Sequence, residues 1–159
     1  MSRAVQLVTL VTALGCGLSA GVFFAFSSFV MPALHRLTPA QGVAAMQQIN
    51  KTAVGPLFMA VLFGSALACA GLVVWAITRW GEPAVPWIIA GAALYIVGAV
   101  LITGGGNVPL NDALAPLDPA SAQAAAKWAD FVPDWSLWNH LRTLCCLGGA
   151  AALVVALIV

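Results

Sequence analysis

The chain is 159 residues long, 62% hydrophobic and only 7% charged, with a formal net charge of +1. Soluble domains carry about 25% charged residues, and the mean hydropathy here is +1.01, so most of the surface must be apolar and lipid is its natural solvent. The net charge itself says nothing about nucleic acid, but there is no basic patch, so no nucleic-acid partner is expected and the lipid bilayer is the first partner.

Four stretches approach the roughly 20 apolar residues that cross about 30 Å of hydrocarbon: residues 4–30, 56–77, 86–103 and 136–159. Backbone groups cannot stay unpaired in lipid, and no alternating barrel pattern appears, so these spans are helices. The expected fold class is an all-α membrane protein. It is read as one domain, residues 1–159: a four-transmembrane-helix bundle with short interfacial helices in the first and third loops. Cys16, Cys69, Cys145 and Cys146 all lie in spans, without CxxC spacing, and read as small buried hydrophobes.

Arg3 precedes the first apolar run, and Leu18-Ser19-Ala20 faintly resembles a signal-cleavage site. The run continues to Val30, too long for a typical signal, so it is read as a mature helix. Gly17, Gly21 and Ala25 recur at four-residue intervals, a spacing that lets helices approach closely. Phe23, Phe24, Phe26 and Phe29 crowd its end; they face lipid or core, or they wall an aromatic pocket, with Phe24 a candidate substrate contact. Pro32 is expected to loosen or end this helix.

Thr38 and Pro39 have the residue types of an N-cap and a first helical position. A short helix to about Asn50 follows, with Val43, Met46, Ile49 and Asn50 on one face. It is placed over the bundle mouth, where Asn50 either packs or caps, or points into a site. The second span starts at Pro56 and ends near Arg79 and Trp80. Trp75, Trp80 and Trp87 suit the membrane interfaces, and Gly81-Glu82-Pro83 makes a tight turn. In the third span Gly91 and Gly98 mark close packing, and the mid-membrane Tyr95 hydroxyl must find a partner, as a tie between helices or as a site donor.

Residues 104–143 hold four of the five acids and three of the six tryptophans, so the chemistry is expected there, in a polar insert over 104–135 and the first turns after it. Gly104-Gly105-Gly106 is expected to end the third span. With Asn107 as cap, Asn107 and Asn111 fall near one helical face; the alternative is that they satisfy loop carbonyls. Asp118 is expected to cap a short helix to about Trp128, Phe131-Val132-Pro133 to turn the chain, and Asp134 to cap the fourth span.

Trp135, Trp138, Asn139 and Arg142 then fall at i, i+3, i+4 and i+7, one continuous face. His140 points roughly 140° away from Trp135 at 100° per residue. A cation in the first turns of a membrane helix is costly and must face the bundle or a cavity; it also opposes the helix dipole. Arg142 is therefore either paired with Asp112, Asp130 or Asp134, or it holds an anion or enolate between indoles. Four spans put both termini on one side. Arg36, Lys51, Lys127 and Arg142 on the two-loop side, against Arg3 and Arg79, place that side in the cytoplasm by the positive-inside bias. In a bacterial cell this multi-pass protein would sit in the inner membrane.

The segment Asn107-Val108-Pro109-Leu110-Asn111, then Trp128, then Trp138-Asn139-His140-Leu141-Arg142-Thr143, resembles the anthrone-oxygenase-like family of small four-helix membrane proteins. The Met46-to-Asn50 run and the Gly21-to-Pro32 end of the first span fit it too, so the resemblance covers nearly the whole chain. It implies oxidation of anthrone-type polyketides to anthraquinones with dioxygen as co-substrate and no resident cofactor, flavin or metal. The mechanism drawn on these residues has Trp135 and Trp138 as walls of a flat apolar slot, with Trp128, Asn50 and Phe24 as further substrate contacts. Arg142, Asn139, Asn107 and Asn111 are the enolate donors, and His140, or Asp112, is the base. Haem or copper held by His35 and His140 is a further cofactor reading that lacks a third ligand. The competing reading is a non-enzymatic small subunit, scaffold or lipophile-binding protein; a homo-oligomer is compatible with either reading, and a transporter would need oligomers to make room.

Overall fold

The computed structural model describes all residues, 1–159, is 87% helical and contains no strand. Four helices are long and apolar enough to cross a membrane: α1 (Arg3–His35), α3 (Pro56–Thr78), α4 (Val85–Leu114) and α5 (Ala122–Ile158). The short α2 (Pro39–Ala53) lies between the first two. The protein is an integral membrane helix bundle.

Of the two outcomes expected at Pro32, it loosens α1 without ending it: the chain widens into a π-helical stretch over Phe26–Val30, where the Met31 N–H reaches the Phe26 carbonyl, and continues to His35. A wider turn absorbs the proline's missing donor and its bulk. Helix ends differ from the sequence expectation in two later places. The Gly104-Gly105-Gly106 run does not end α4 either. It is wound into a π-helical stretch over Ile96–Asn107, and Asn107 has a helical backbone with no side-chain cap bond. Glycine's freedom to leave the helix is overruled because these backbone groups must be paired, and because Gly106 lies under the Trp138 ring, where an added Cβ would meet ring carbon Cδ2 at 2.6 Å.

Likewise Phe131-Val132-Pro133 makes no turn, and Asp134 caps nothing. Ser121 caps α5, accepting from the Ala124 N–H at 3.1 Å, while Asp118 serves only the preceding turn, accepting from Ala120 N–H at 3.0 Å. From there α5 runs unbroken, with Pro133 inside it. Its buried stripe (Ala124, Trp128, Phe131, Trp135, Asn139, Arg142, Cys146) crosses the proline without a change of phase, while Pro133 and Ala129, whose carbonyl loses its donor, sit on the exposed face. The interfacial helical segments of the third loop are thus extensions of α4 and α5. At 37 residues, α5 is about 55 Å long, so its first turns stand outside about 30 Å of hydrocarbon.

Two apolar clusters result. One fills the bundle between α1, α3, α4 and α5. Tyr95 ties its centre: its hydroxyl pairs with Ser19 Oγ at 2.9 Å and donates to the Leu62 carbonyl at 3.1 Å, joining α1, α3 and α4. Gly91 meets the Gly149 carbonyl at 2.9 Å from its would-be Cβ, so α4 and α5 touch backbone to backbone. Gly17 and Gly21, by contrast, have nothing within 4 Å and bring no helix close. All four cysteines are free, with Cys16 and Cys69 Sγ atoms 4.0 Å apart in the core.

The second cluster is a cap built from the end of α1, α2, the end of α4 and the first half of α5. Thr38 caps α2 as expected and forms a capping box with Gln41. Trp128 stacks on Phe131 with centroids 5.4 Å apart and lies over Gly42. Gln47 donates to the Leu114 and Leu117 carbonyls at 3.0 and 2.9 Å, tying α2 to the connection after α4. At the other end of the bundle, the Met1 ammonium meets Glu82 at 3.4 Å.

Candidate functional site

Where the cap meets the bundle, a cavity of about 600 Å³ remains under α2. Phe23 and Phe26 of α1, Met46 of α2, and Phe58 and Leu62 of α3 make its apolar walls. Its polar edge holds Asn50 of α2, Thr103 and Asn111 of α4, and Trp135 and Arg142 of α5. No acid and no histidine is among the walls.

Arg142 is the dominant feature. It is only 7% exposed, and its guanidinium carbon stands 4.1 Å from the Phe23 ring centroid and 5.0 Å from that of Trp135. Its Nε donates to Asn139 Oδ1 at 2.9 Å, and Nη1 makes a long bond of 3.4 Å to Thr103 Oγ1. No carboxylate pairs with it; the one ion pair of the chain is that of Met1 with Glu82. The expected pairing with Asp112, Asp130 or Asp134 is therefore not made. Nη2 makes no hydrogen bond to the protein, yet it is not a sealed atom, so the guanidinium keeps spare donor capacity in a residue that lines the cavity. Two aromatic faces stabilise the cation, but a desolvated guanidinium without an anion is an incomplete arrangement.

Trp135 is held from both sides by the two α4 asparagines. Its indole N–H donates to Asn111 Oδ1 at 2.9 Å, and its carbonyl accepts from Asn107 Nδ2 at 3.1 Å. Asn107 Oδ1 is left as the one sealed side-chain polar atom without a partner. Phe26 packs against the Trp135 ring at 5.4 Å, so the indole is a fixed wall.

Behind Arg142, Asn139 is fully buried and works as a hub. Its Nδ2 donates to the Phe23 carbonyl at 2.8 Å and to Ser27 Oγ at 2.7 Å. Phe23 and Ser27 lie either side of the start of the α1 π-helical stretch, so Asn139 links the wide turn of α1 to the guanidinium. His140 Nδ1 pairs with the same Ser27 Oγ at 2.8 Å from the exposed side.

Of the sequence candidates, the structure brings Arg142, Trp135, Asn111 and Asn50 to the cavity. Asn139 and Asn107 stand one layer behind, orienting Arg142 and Trp135. Trp138 is 38% exposed and lies over Gly106; it is not a wall, because the i+3 position turns it outward past Trp135. Trp128 belongs to the cap under α2, Phe24 is 61% exposed on the lipid side, and His140 and Asp112 lie on the exposed surface. His35 is exposed too, and no group of three or more His, Cys, Asp or Glu side chains is gathered anywhere in the chain. The sequence reading missed Thr103, and among the four phenylalanines offered as pocket walls it singled out Phe24 where the structure uses Phe23 and Phe26. A signal for the two phenylalanines was present: Thr9, Thr12, Cys16 and Ser19 mark the buried stripe of α1, and its next steps are Phe23 and Phe26.

The model of the anthrone oxygenase family matches residues 56–152, well over half of the chain, a range that contains α3, α4, most of α5 and every cavity residue those helices contribute. No curated protein and no solved structure matches the chain.

Proposed function

The chain belongs to the anthrone oxygenase family, and from that premise we propose that it is a membrane-embedded oxygenase acting on an anthrone-type or other lipophilic phenolic substrate, with dioxygen as co-substrate. The observation that carries this reading is Arg142: a buried cation with no carboxylate partner, facing an apolar cavity of about 600 Å³. Only an anionic or strongly polarised ligand completes that arrangement, and the walls ask for a flat apolar body.

The chemistry follows from the walls. An anthrone is a carbon acid, and its enolate carries charge on oxygen. A guanidinium buried between aromatic rings favours the ionised form and stabilises the charge that develops. With no imidazole or carboxylate lining the cavity, the substrate's proton leaves to water rather than to a wall residue, and His140 and Asp112 are left out of the proposed base role. The enolate gives one electron to dioxygen; the resulting carbon radical and superoxide combine to a hydroperoxide at the former methylene carbon. Loss of that carbon's remaining proton and cleavage of the O–O bond release water and leave the quinone carbonyl. One anthrone and one dioxygen become one anthraquinone and one water. Asn111, Thr103 and Asn50 add polar contacts, and Trp135 sets the ring plane.

In the proposed topology both termini share one face of the membrane and the cavity opens near the other, at interfacial depth. The test is oxygen consumption by the purified protein with anthrones and hydroquinones: consumption with quinone formation, lost in Arg142→Ala, is expected. No oxygen uptake, with anthrone binding still dependent on Arg142, would favour the second reading, a lipophile-binding protein, which the absence of a base among the walls supports.

A further inference from the structure

The cavity does not end at Phe58. It shares Val22, Thr52 and Phe58 with a second hollow of about 390 Å³ along the seam of α1 and α3. That hollow shares Leu18 and Val61 with a third of about 380 Å³. Going from the cavity, the walls step back along α1 from Val22 to Leu18 to Val11, and forward along α3 from Phe58 to Val61 to Ala68. The three hollows therefore follow one another along the α1–α3 seam, neighbour sharing walls with neighbour, and form a groove-like line from the membrane interface toward the middle of the bilayer. Eleven residues of α1 correspond to about 16 Å of groove. Its floor is kept open by small side chains, Gly15, Ala60, Gly64 and Ala68. Its deep part presents almost no polar group beyond hydroxyls such as Thr12, which already donates to the Val8 carbonyl.

We infer that the substrate is a tailed amphiphile: an acidic aromatic head lies in the Arg142 cavity, and a long alkyl or prenyl chain lies in the α1–α3 groove. This rests on the function proposed above and narrows it. The occupant follows from this succession of hollows along one helix seam, each sharing side chains with the next. The groove leads into a chamber whose one unpaired charge demands a polar head, and it leaves that chamber at the depth where hydrocarbon begins. A tail loses little by moving from lipid to this groove, since both are apolar; the groove lets the head reach Arg142 without lifting the tail out of the bilayer.

The experiment uses the full-length protein in lipid nanodiscs and two probes, dihydroxyanthrones carrying a methyl or a dodecyl group at the same ring position, kept under argon. Gly64→Leu fills the groove, and an added Cβ at Gly64 has nothing within 4 Å, so the variant should fold. Partition into the bilayer cancels in the ratio of wild-type to variant affinity for each probe. We expect Gly64→Leu to weaken the dodecyl probe about tenfold, the scale on which forced overpacking acts, and to leave the methyl probe unchanged. Equal response of the two probes, or no response, overturns the inference. If in that case Arg142→Gln still abolishes binding of the methyl probe, the proposed function survives alone; if Arg142→Gln changes neither probe, both fall. Ala60→Phe, on the same floor, is the second variant: it too should weaken the dodecyl probe and spare the methyl probe, and an equal loss of both probes there counts against the groove.

Discussion

The guanidinium of Arg142 lies 4.1 Å above the ring of Phe23, and the carbonyl of that same Phe23 accepts the amide of Asn139, which in turn holds the Arg142 Nε. A closed circuit of α1 and α5 groups thus fixes one edge of a buried cation while leaving the other toward a cavity. Preorganised donors of this kind act on charge that develops in the site, without reorganising at the moment of reaction.

A site residue of this type should be dispensable for folding. Arg142→Met removes an unpaired buried charge and leaves the Asn139 oxygen without its donor and Thr103 Oγ1 without its long one, a loss of about 1–3 kcal/mol against the relief of desolvation. The thermal midpoint in detergent should stay within about 5 °C of wild type, while oxygen uptake falls by about 10²–10³-fold. A collapse of stability together with activity would make Arg142 a structural tie.

The Trp135 indole and Asn111 should behave in the opposite way. Their 2.9 Å bond is broken in Asn111→Ala, leaving a part-buried N–H unpaired at a cost of about 1–3 kcal/mol. Trp135→Phe in the same background should recover part of that loss, because the orphaned donor is gone. Chemical denaturation of the two single variants and the double variant gives the coupling directly.

Within the glycine run of α4, neighbouring positions should differ in sign. Gly106→Ala puts a Cβ at 2.6 Å from the Trp138 ring and must displace it, whereas Gly104 and Gly105 have nothing within 4 Å. Gly104→Ala and Gly105→Ala should therefore raise stability by about 0.5–1 kcal/mol, glycine's ordinary cost in a helix interior, and Gly106→Ala should lower it by about 1–3 kcal/mol. Thermal melts of the three variants settle the order.

Gln47 should control the roof of the cavity. Its amide serves the carbonyls of Leu114 and Leu117, so Gln47→Leu should speed hydrogen exchange in residues 115–121 and in α2, with the spans unchanged. Protection equal to wild type would mean that apolar packing under α2 holds the roof alone.

The number and kind of membrane helices were legible because hydropathy acts over whole spans. Their ends were not. Gly104–Gly106 and Pro133 carry strong local signals for termination, and both were overridden from a distance, by Trp138 packing on Gly106 and by the unbroken stripe of Trp128, Phe131 and Trp135. At the site, the spacing of Trp135, Asn139 and Arg142 on one face was readable from α5 alone. That α1 supplies Phe23 rather than Phe24 was harder to read: a helix apolar nearly all round has little phase of its own, and only its few hydroxyls disclose which side is inward. That no acid would reach Arg142 is a property of the tertiary arrangement, since Asp112, Asp130 and Asp134 are all close in sequence to the cavity walls.

The most direct measurement is the absorption spectrum of a dihydroxyanthrone bound to the protein in nanodiscs under argon, at a pH where the free compound is neutral. The enolate spectrum is expected in wild type and the neutral spectrum in Arg142→Gln. A neutral spectrum in both proteins, with the compound shown to be bound, would contradict this expectation.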